Sequence, residues 1–566
     1  MEGIFGAVST EPSDFVQDMI ECLQRRPRQT AETVRIGAAH LGVVRGKHHG
    51  CHARIGRRRP WCFAIDGELR EGWPIEDGLP LSDVMSQSLR SAKGGFALAV
   101  ASERDLVLAR DWFGRRSLFY TLLRNGRLFV FASDLKTLLA CDAVPTDIDL
   151  ATLTDLGVQG HPVGNATMLR NVQSVQPGHL IAVSTVGDRL ELTDRCFAGP
   201  REQQMCGYSE TDVLDRMEAL LRDSLTRASR SAERVGVALS GGIDSAVLGL
   251  LAAETCRPVA AVTVAPSRKS PELSVAAGIA QLMGVRHEIV TLDFDQYLDA
   301  IPKSIYALES LMRRTRLVTM QCLTSTVAQF SDACLTGFGA TEVFVEDSNR
   351  LDWEEARRLR RDLLSAAIEK GLPVREALEA FLETAAEPKS WQEHVEHLDW
   401  RIREWSVIRS CEAHGRAAGV DMLMPYYDDD FVNFTRSVPS QLKWDPNMRI
   451  PKYLLKAFAI RLYGYSIARS ILREKSPLFA GTLGFARQFS ELCSLLPDEY
   501  ARRHSFREFF SQKEMLLQLD IFQWLFSTNR GASAEIDVRE FLHDRGAPAT
   551  ALKTMPPTGG SYAQGA

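Results

Sequence analysis

Val235-Gly236-Val237-Ala238-Leu239-Ser240-Gly241-Gly242-Ile243-Asp244-Ser245 passes from an apolar run with the look of a buried parallel strand into a glycine-rich turn. The turn opens into Ala246-Val247-Leu248-Gly249-Leu250-Leu251-Ala252-Ala253, which has the pattern of a helix. Two glycines let the backbone approach an anion, and the helix start points unpaired N–H groups at it. Ser240 and Ser245 add hydroxyl donors, and Asp244 is placed to hold a divalent cation against bound phosphates. The passage is not a Gly-x-x-x-x-Gly-Lys-Ser/Thr loop, since no lysine follows the glycines.

Outward from this turn, apolar strands at 259–264 and 288–292 alternate with amphipathic helices, the signature of an open parallel α/β sheet. About 90 residues beyond the first turn, Leu335-Thr336-Gly337-Phe338-Gly339-Ala340-Thr341-Glu342-Val343-Phe344 looks like another strand ending in a glycine-rich turn. That places it beside the first at the carboxyl edge of the sheet, where open α/β folds bind ligands. Beyond Trp353 the pattern is almost all helix.

The first ~200 residues have a different texture, with short β-prone runs between turns. Examples are Trp61 to Ile65, Phe96 to Val100, Leu106 to Ala109, Leu118 to Tyr120 and Leu128 to Phe131. They predict a layered antiparallel-sheet domain. A polar stretch from Cys196 to Tyr208 reads as a linker, and the Pro- and Gly-rich tail from Ala547 is expected to be disordered. The division expected is therefore 1–205, 206–546 and a tail at 547–566.

Composition narrows the function classes. The 566 residues are 45% hydrophobic and 25% charged, ordinary for a globular chain of two or three domains. A net charge of -5 argues against a general nucleic-acid binder, and Arg57-Arg58-Arg59 and the cluster from Arg357 to Arg361 read as solvated faces. No stretch is apolar and long enough for a bilayer, and the first residues lack a secretory signal. The 11 cysteines form no Cys-x-x-Cys pair, so neither a zinc site nor a disulfide framework is suggested, and a cytoplasmic location is expected. His48, His49 and His52 read as an exposed loop, and Trp353, Trp391, Trp400, Trp405 and Trp444 as packing residues. Asp429 and Asp430 read as negative charge at a helix start, not a metal cluster.

Further pieces follow in order: Met424-Pro425-Tyr426-Tyr427-Asp428, Ile450-Pro451-Lys452-Tyr453-Leu454-Leu455-Lys456 and Leu472-Arg473-Glu474-Lys475-Ser476. With the two turns they resemble the asparagine synthetase family, and the first turn resembles the pyrophosphate loop of ATP pyrophosphatases. The N-terminal part is similar to the family's glutaminase half in Gly3-Ile4-Phe5-Gly6, Asp66-Gly67-Glu68-Leu69, the run from Leu108 to Gly114, and Phe131-Ala132-Ser133-Asp134-Leu135-Lys136. The resemblance implies an Ntn-hydrolase-like antiparallel domain followed by an ATP-pyrophosphatase-type parallel α/β domain with a helical extension.

Three departures bear on function. Members that hydrolyse glutamine carry Cys after the initiator Met; here Glu2 stands there, and the first cysteine is Cys22. A carboxylate lacks a thiolate's nucleophilicity, so the half is expected to be a degenerate glutaminase, kept as scaffold or as a surface for a substrate or partner. The family's second turn ends in an Asp that helps hold magnesium; here it is Thr341, a weaker ligand, with Glu342, Glu346 and Asp347 nearby. Phe338 replaces a Glu or a base-activating Tyr, and aligning Pro425 puts Arg409 at the partner position, flanked by Glu404 and Glu412, so a shifted base remains open.

The resemblance implies ATP and Mg2+ as cofactors. ATP is expected over Ser240, Gly241, Gly242, Asp244 and Ser245, with adenine against the backbone at Val237 to Leu239, near Val264, and against the turn of Thr336 and Gly337. Lys475 is expected to stabilise charge on pyrophosphate and on the tetrahedral intermediate, Lys452 to hold pyrophosphate, and Glu342 to assist the metal held by Asp244. Phe338, Glu404, Arg409 and Glu412 are expected to line the substrate pocket. The expected reaction adenylates a carboxylate and passes it to an amine, closing a macrolactam in a precursor peptide as lasso-peptide cyclases do. An α-amine with a pKa near ~8 needs no strong base. The alternatives are a small-molecule amide or β-lactam-type synthetase, an ammonia-dependent asparagine synthetase-like enzyme, or a catalytically retired binding homologue. Partners expected are the precursor peptide or a small carboxylic acid with an amine, and a biosynthetic protease or leader-binding protein, with no nucleic acid or membrane.

Overall fold

A computed structural model describes residues 3–11, 15–24, 30–45, 53–73, 80–199, 207–312, 316–344, 350–384, 407–443, 452–472, 482–549 and 552. The N-terminal half is two stacked six-stranded sheets. One runs Gln173–Ser174, Phe119–Leu123, Leu128–Ala132, Gly3–Ser9, Ala39–Arg45, Thr30–Ile36. The other runs Arg189–Cys196, His179–Val186, Asp105–Arg110, Phe96–Ala101, Trp61–Gly67, Arg54–Arg58. Ile4, Leu41, Ala64, Leu108, Phe129 and Phe131 interdigitate between them. Every residue of Phe96–Ala101 is buried, because the helix Leu81–Ser88 covers its outer face through Met85. That is why this strand reads as a continuous apolar run and does not alternate.

The C-terminal half is built on a five-stranded parallel sheet in the order Arg286–Thr291, Ala260–Ala265, Val235–Ala238, Ala333–Leu335, Asp421–Leu423. The α/β expectation for this half and the antiparallel expectation for the first both describe the observed fold. The strand Asp421–Leu423 departs from the all-helix reading beyond Trp353. Three residues are too few to show a period of two, and the strand exists because Ala333–Leu335 offers it a ladder. The tail also departs in part: Ala547 and Leu552 are buried in a core with Leu542 and Phe522, while 553–566 lie outside the described residues.

The halves share that core. Phe5, Phe119 and Val130 from one sheet pack with Ile301, Leu308, Leu516 and Phe522 of the second half. Around it runs a seam of buried ion pairs. Lys136 meets Glu309 at 2.6 Å, Arg116 meets Asp421 at 2.6 Å and Arg416 meets Asp66 at 2.8 Å. Asp429 accepts from Trp112 Nε1 and Gly94 N, both at 2.9 Å, and from Arg115 at 3.0 Å. It begins the helix Asp429–Ser437, with Asp428 as its cap, but its larger role is to tie the halves together. Burial raises its pKa, and Arg115 together with the Gly94 and Trp112 hydrogen bonds more than reverses that, leaving the carboxyl below its usual range.

Candidate functional site

The strand Val235–Ala238 stops where the helix Ile243–Thr255 begins, and Ser240 to Gly242 turn the chain between them. Gly241 has φ +70°, and a Cβ there would lie 2.6 Å from the Glu272 carbonyl oxygen, so only glycine fits. The hydroxyls lock the turn. Ser240 N donates to Ser245 Oγ at 3.0 Å, Ser245 Oγ donates to the Gly242 carbonyl at 3.2 Å, and the two hydroxyls lie 3.1 Å apart. Thr263 braces the preceding strand end by donating to the Leu239 carbonyl at 2.7 Å.

The second turn lies against the first. A Cβ on Gly337 would meet Ser245 N at 2.8 Å and the Asp244 carbonyl carbon at 2.9 Å, so the loops touch backbone to backbone. Gly339, at φ +100°, makes room for Tyr426, whose hydroxyl donates to the Asp244 carbonyl at 3.2 Å. Between the loops opens a pocket of about 140 Å³. Leu239, Ser240, Asp244, Ser245, Val264, Thr336, Gly337 and Phe338 line it, and Asp244 is its one titratable lining side chain among the described residues.

At the pocket's edge Lys452 Nζ donates to Asp244 Oδ1 at 3.0 Å and Oδ2 at 2.9 Å, and to Thr341 Oγ1 at 3.0 Å. Lys452 caps the helix Tyr453–Ile471 in the left-handed region, at φ 53°, and is only 6% exposed. That conformation costs a non-glycine residue about 1 kcal/mol, which the three contacts offset. Glu342 is buried on the short helix Ala340–Phe344 that follows the turn.

These contacts decide how the site fits magnesium. Among the described residues no three His, Cys, Asp or Glu side chains gather as a metal cage. Both oxygens of Asp244 are engaged by an ammonium, and the neighbour on that ammonium is a hydroxyl, where a second carboxylate would be the natural ligand. Among the described residues Asp244 is the carboxylate that would meet a magnesium ion, with nucleotide phosphates and water completing its shell, while Glu346 and Asp347 lie outside the described residues.

Several expected residues stand elsewhere. The Val237 side chain is 1% exposed in the core; the expectation concerned the backbone from Val237 to Leu239, of which Ala238 and Leu239 line the pocket. Arg409 is buried in the seam, 3.8 Å from Glu309 with its guanidinium 4.8 Å over the Phe119 ring. Glu412 bonds Arg416 and Ser117, and lines a separate cavity between the halves. Neither lies with Phe338, so no base shifted onto Glu412 reaches this pocket. The helix Arg409–Ala418 packs on the helices Phe294–Leu308 and Arg316–Val327, and its Arg409, Glu412 and Arg416 side chains reach Phe119, Ser117 and Asp66 of the N-terminal half, which spacing from Pro425 could not reveal. Lys475, Glu404, Glu346, Asp347, Glu2, His48, His49 and His52, with Trp391, Trp400, Trp405 and Trp444, lie outside the described residues; Trp353 is on the helix Arg350–Glu369.

The pocket has a wall that the sequence reading missed: Thr319, Met320 and Leu323 on the helix Arg316–Val327. The signal was present, since the helix directly before a parallel strand packs on the sheet, and Met320, Leu323 and Val327 recur at helical spacing.

Two domains, one of antiparallel sheets and one a parallel sheet with paired glycine-rich turns at its carboxyl edge, define a two-part α/β protein with a pocket at that edge. The family profile described as asparagine synthase matches residues 216–519, and one described as glutamine amidotransferase domain matches 82–192. The chain belongs to the asparagine synthase family. It is similar to a putative asparagine synthetase [glutamine-hydrolyzing] of Mycobacterium bovis, 28% identical over 46% of this chain and 40% of that one. It is 31% identical to asparagine synthetase [glutamine-hydrolyzing] 2 of Bacillus subtilis over 28% of this chain and 23% of that one. The rat asparagine synthetase is 22% identical over 63% and 57%. The matched regions thus span less than two thirds of these relatives. Among solved structures, NMN synthetase from Francisella tularensis aligns over 36% of this chain and 96% of its own at 15% identity, with a TM-score of 0.21 too low to carry an argument. Among the described residues no helix is long and apolar enough to cross a membrane.

Proposed function

We propose that the chain is an ATP-dependent ligase that adenylates a carboxylate and transfers the acyl group to an amine, closing a macrolactam in a precursor peptide. The observation that carries this reading is the pair of touching glycine-rich turns with Lys452 at the edge of their pocket. Triphosphate follows the Ser240–Ser245 turn and the helix N-terminus beyond it, while adenine takes the apolar wall of Leu239, Val264, Met320 and Leu323.

A carboxylate oxygen attacks the α phosphorus, the P–O bond to the β phosphate breaks, and pyrophosphate leaves with its new charge facing Lys452. The amine then attacks the acyl carbon, the bond to AMP breaks and AMP departs, and the amine proton passes to water. Lys475, in the resembling motif, is the cation proposed for the tetrahedral intermediate. Phe338 adds an apolar side chain to the pocket, and among the described residues its lining carries no base but Asp244, which is engaged by Lys452. That suits an amine already partly neutral near pH 8, such as a peptide α-amine. The names of the relatives favour a second reading, ligation of ammonia to aspartate. A product that is a precursor peptide lighter by one water, with one AMP and one pyrophosphate formed, supports the cyclase. AMP formed only with aspartate and ammonium moves the assignment to the second reading. Absence of ATP binding marks a retired site.

A further inference from the structure

The parallel sheet ends on Asp421–Leu423, which pairs on one side with Ala333–Leu335 and on the other with no strand among the described residues. Asp421 N donates to the Asp332 carbonyl at 2.9 Å, and the Leu423 carbonyl accepts from Thr336 N at 3.0 Å. Both residues thus turn their backbone groups into the sheet, and those of Met422 between them point to the other side. Among the described residues neither the Met422 N–H nor its carbonyl has a hydrogen-bond partner, nor has the Met424 N–H. Met422 is nonetheless buried, where an unpaired backbone group is costly. The groups face the cavity between the halves, whose volume of about 600 Å³ is that of a ligand site. Residues 420–425 line it in unbroken succession. Side chains that alternate across a sheet cannot do that, so the strand presents its backbone edge to the cavity.

Charge selects the occupant. Six arginines and four carboxylates line the cavity among the described residues. Arg116 pairs with Asp421, and Arg70 and Arg227 with Asp428. Arg54 and Arg230 are exposed, and among the described residues no carboxylate pairs with either. We propose that this edge is a docking strand: an extended peptide segment adds to it through Met422 and Met424, with its own carboxylate side chains facing Arg54 and Arg230. Main-chain bonds to a sheet edge supply affinity, and the flanking side chains supply selectivity. The peptide then lies two strand spacings, about 10 Å, from Ala333–Leu335, the strand that leads into the Thr336–Gly337 turn of the nucleotide pocket. This deepens the ligase reading by giving its peptide substrate a second holding point; the docking itself needs no nucleotide.

The test uses the full chain without ATP and two pools of synthetic octapeptides, randomised except for a fixed central glutamate or a fixed central lysine. Mass spectrometry of the retained fraction is expected to show the glutamate pool held and the lysine pool washed through. With the best binder present, hydrogen exchange at the Met422 and Met424 amides should slow. N-methylation at one position of that peptide should weaken binding about tenfold, the loss of one main-chain bond. Arg54→Glu and Arg230→Glu should each weaken it about fivefold, as suits exposed ion pairs. No retained peptide, equal retention of the two pools, or protection confined to other amides overturns the inference. So does displacement of the peptide by free glutamate at equal concentration, which would make the cavity a site for single amino acids. Peptide docking without AMP formation from any substrate sinks the ligase reading and leaves the docking strand standing.

Discussion

Two lysine–carboxylate pairs, Lys452–Asp244 and Lys136–Glu309, look alike in distance and differ in surroundings. The second is sealed in the seam between the halves, with both side chains 3–4% exposed. Lys136 also donates to the Tyr306 carbonyl, and Glu309 accepts from the Leu135 and Lys136 backbone N–H groups. Burial draws the Lys136 pKa down, but Glu309 and Asp134 outweigh it, so the ammonium stays charged. In the first pair the carboxylate is 17% exposed at a pocket, and the lysine carries strained backbone. A buried pair saturated by protein groups fixes how domains sit, whereas a pair whose open side is a cavity is poised for a ligand.

The contrast breaks most visibly at the seam. Glu309→Ala leaves the Lys136 charge buried without its partner, and is expected to cost about 3–5 kcal/mol in chemical denaturation. Activity per folded molecule should hold. A loss of activity without loss of stability would show that the seam does more than hold the halves. Lys452→Met should behave in reverse. AMP formation is expected to fall about 10²–10³-fold, as when one pre-organised charge-stabilising donor is removed. Its unfolding midpoint should fall less than that of Glu309→Ala, because Asp244 is 17% exposed and stays hydrated when the ammonium is removed.

A pH profile sharpens the seam further. His414 is fully buried on the helix Arg409–Ala418, donating Nδ1–H to the Ser410 carbonyl, and burial pushes its pKa down to about 4. The unfolded chain takes up that proton near pH 6.5, whereas the folded chain refuses it until about 4. Stability is therefore whole above pH 6.5 and is lost as the pH falls toward 4, by up to about 3 kcal/mol. His414→Leu should flatten that slope in denaturation curves. The smallest effect belongs to the touching turns. Gly337→Ala drives a methyl into the Asp244–Ser245 backbone and should cost about 1–3 kcal/mol, read as weaker ATP binding by calorimetry.

Much of this was legible in the chain. The turn at Ser240–Ser245, its partner at Thr336–Gly339 and the texture change near residue 205 follow from local patterns, because strand, turn and helix start each leave short-range signatures. Arg409 and Glu412 show the limit. Counting from Pro425 places them along the chain, but the rotation of their helix is set by its packing on Phe294–Leu308 and Arg316–Val327, which leaves Arg409 and Glu412 toward the N-terminal half. Thr319, Met320 and Leu323 reach the pocket for the same kind of reason, by packing across the sheet.

The sequence by itself determined the two fold classes, the family's paired glycine-rich turns and the chemical change from carboxylate to hydroxyl at Thr341, since these are properties of neighbours in the chain. Only the tertiary structure decided that Lys452, 208 residues beyond Asp244, closes on that carboxylate, and that Arg409 belongs to the seam. A charge's partner depends on where burial removes water, and burial is settled by packing between elements far apart in sequence.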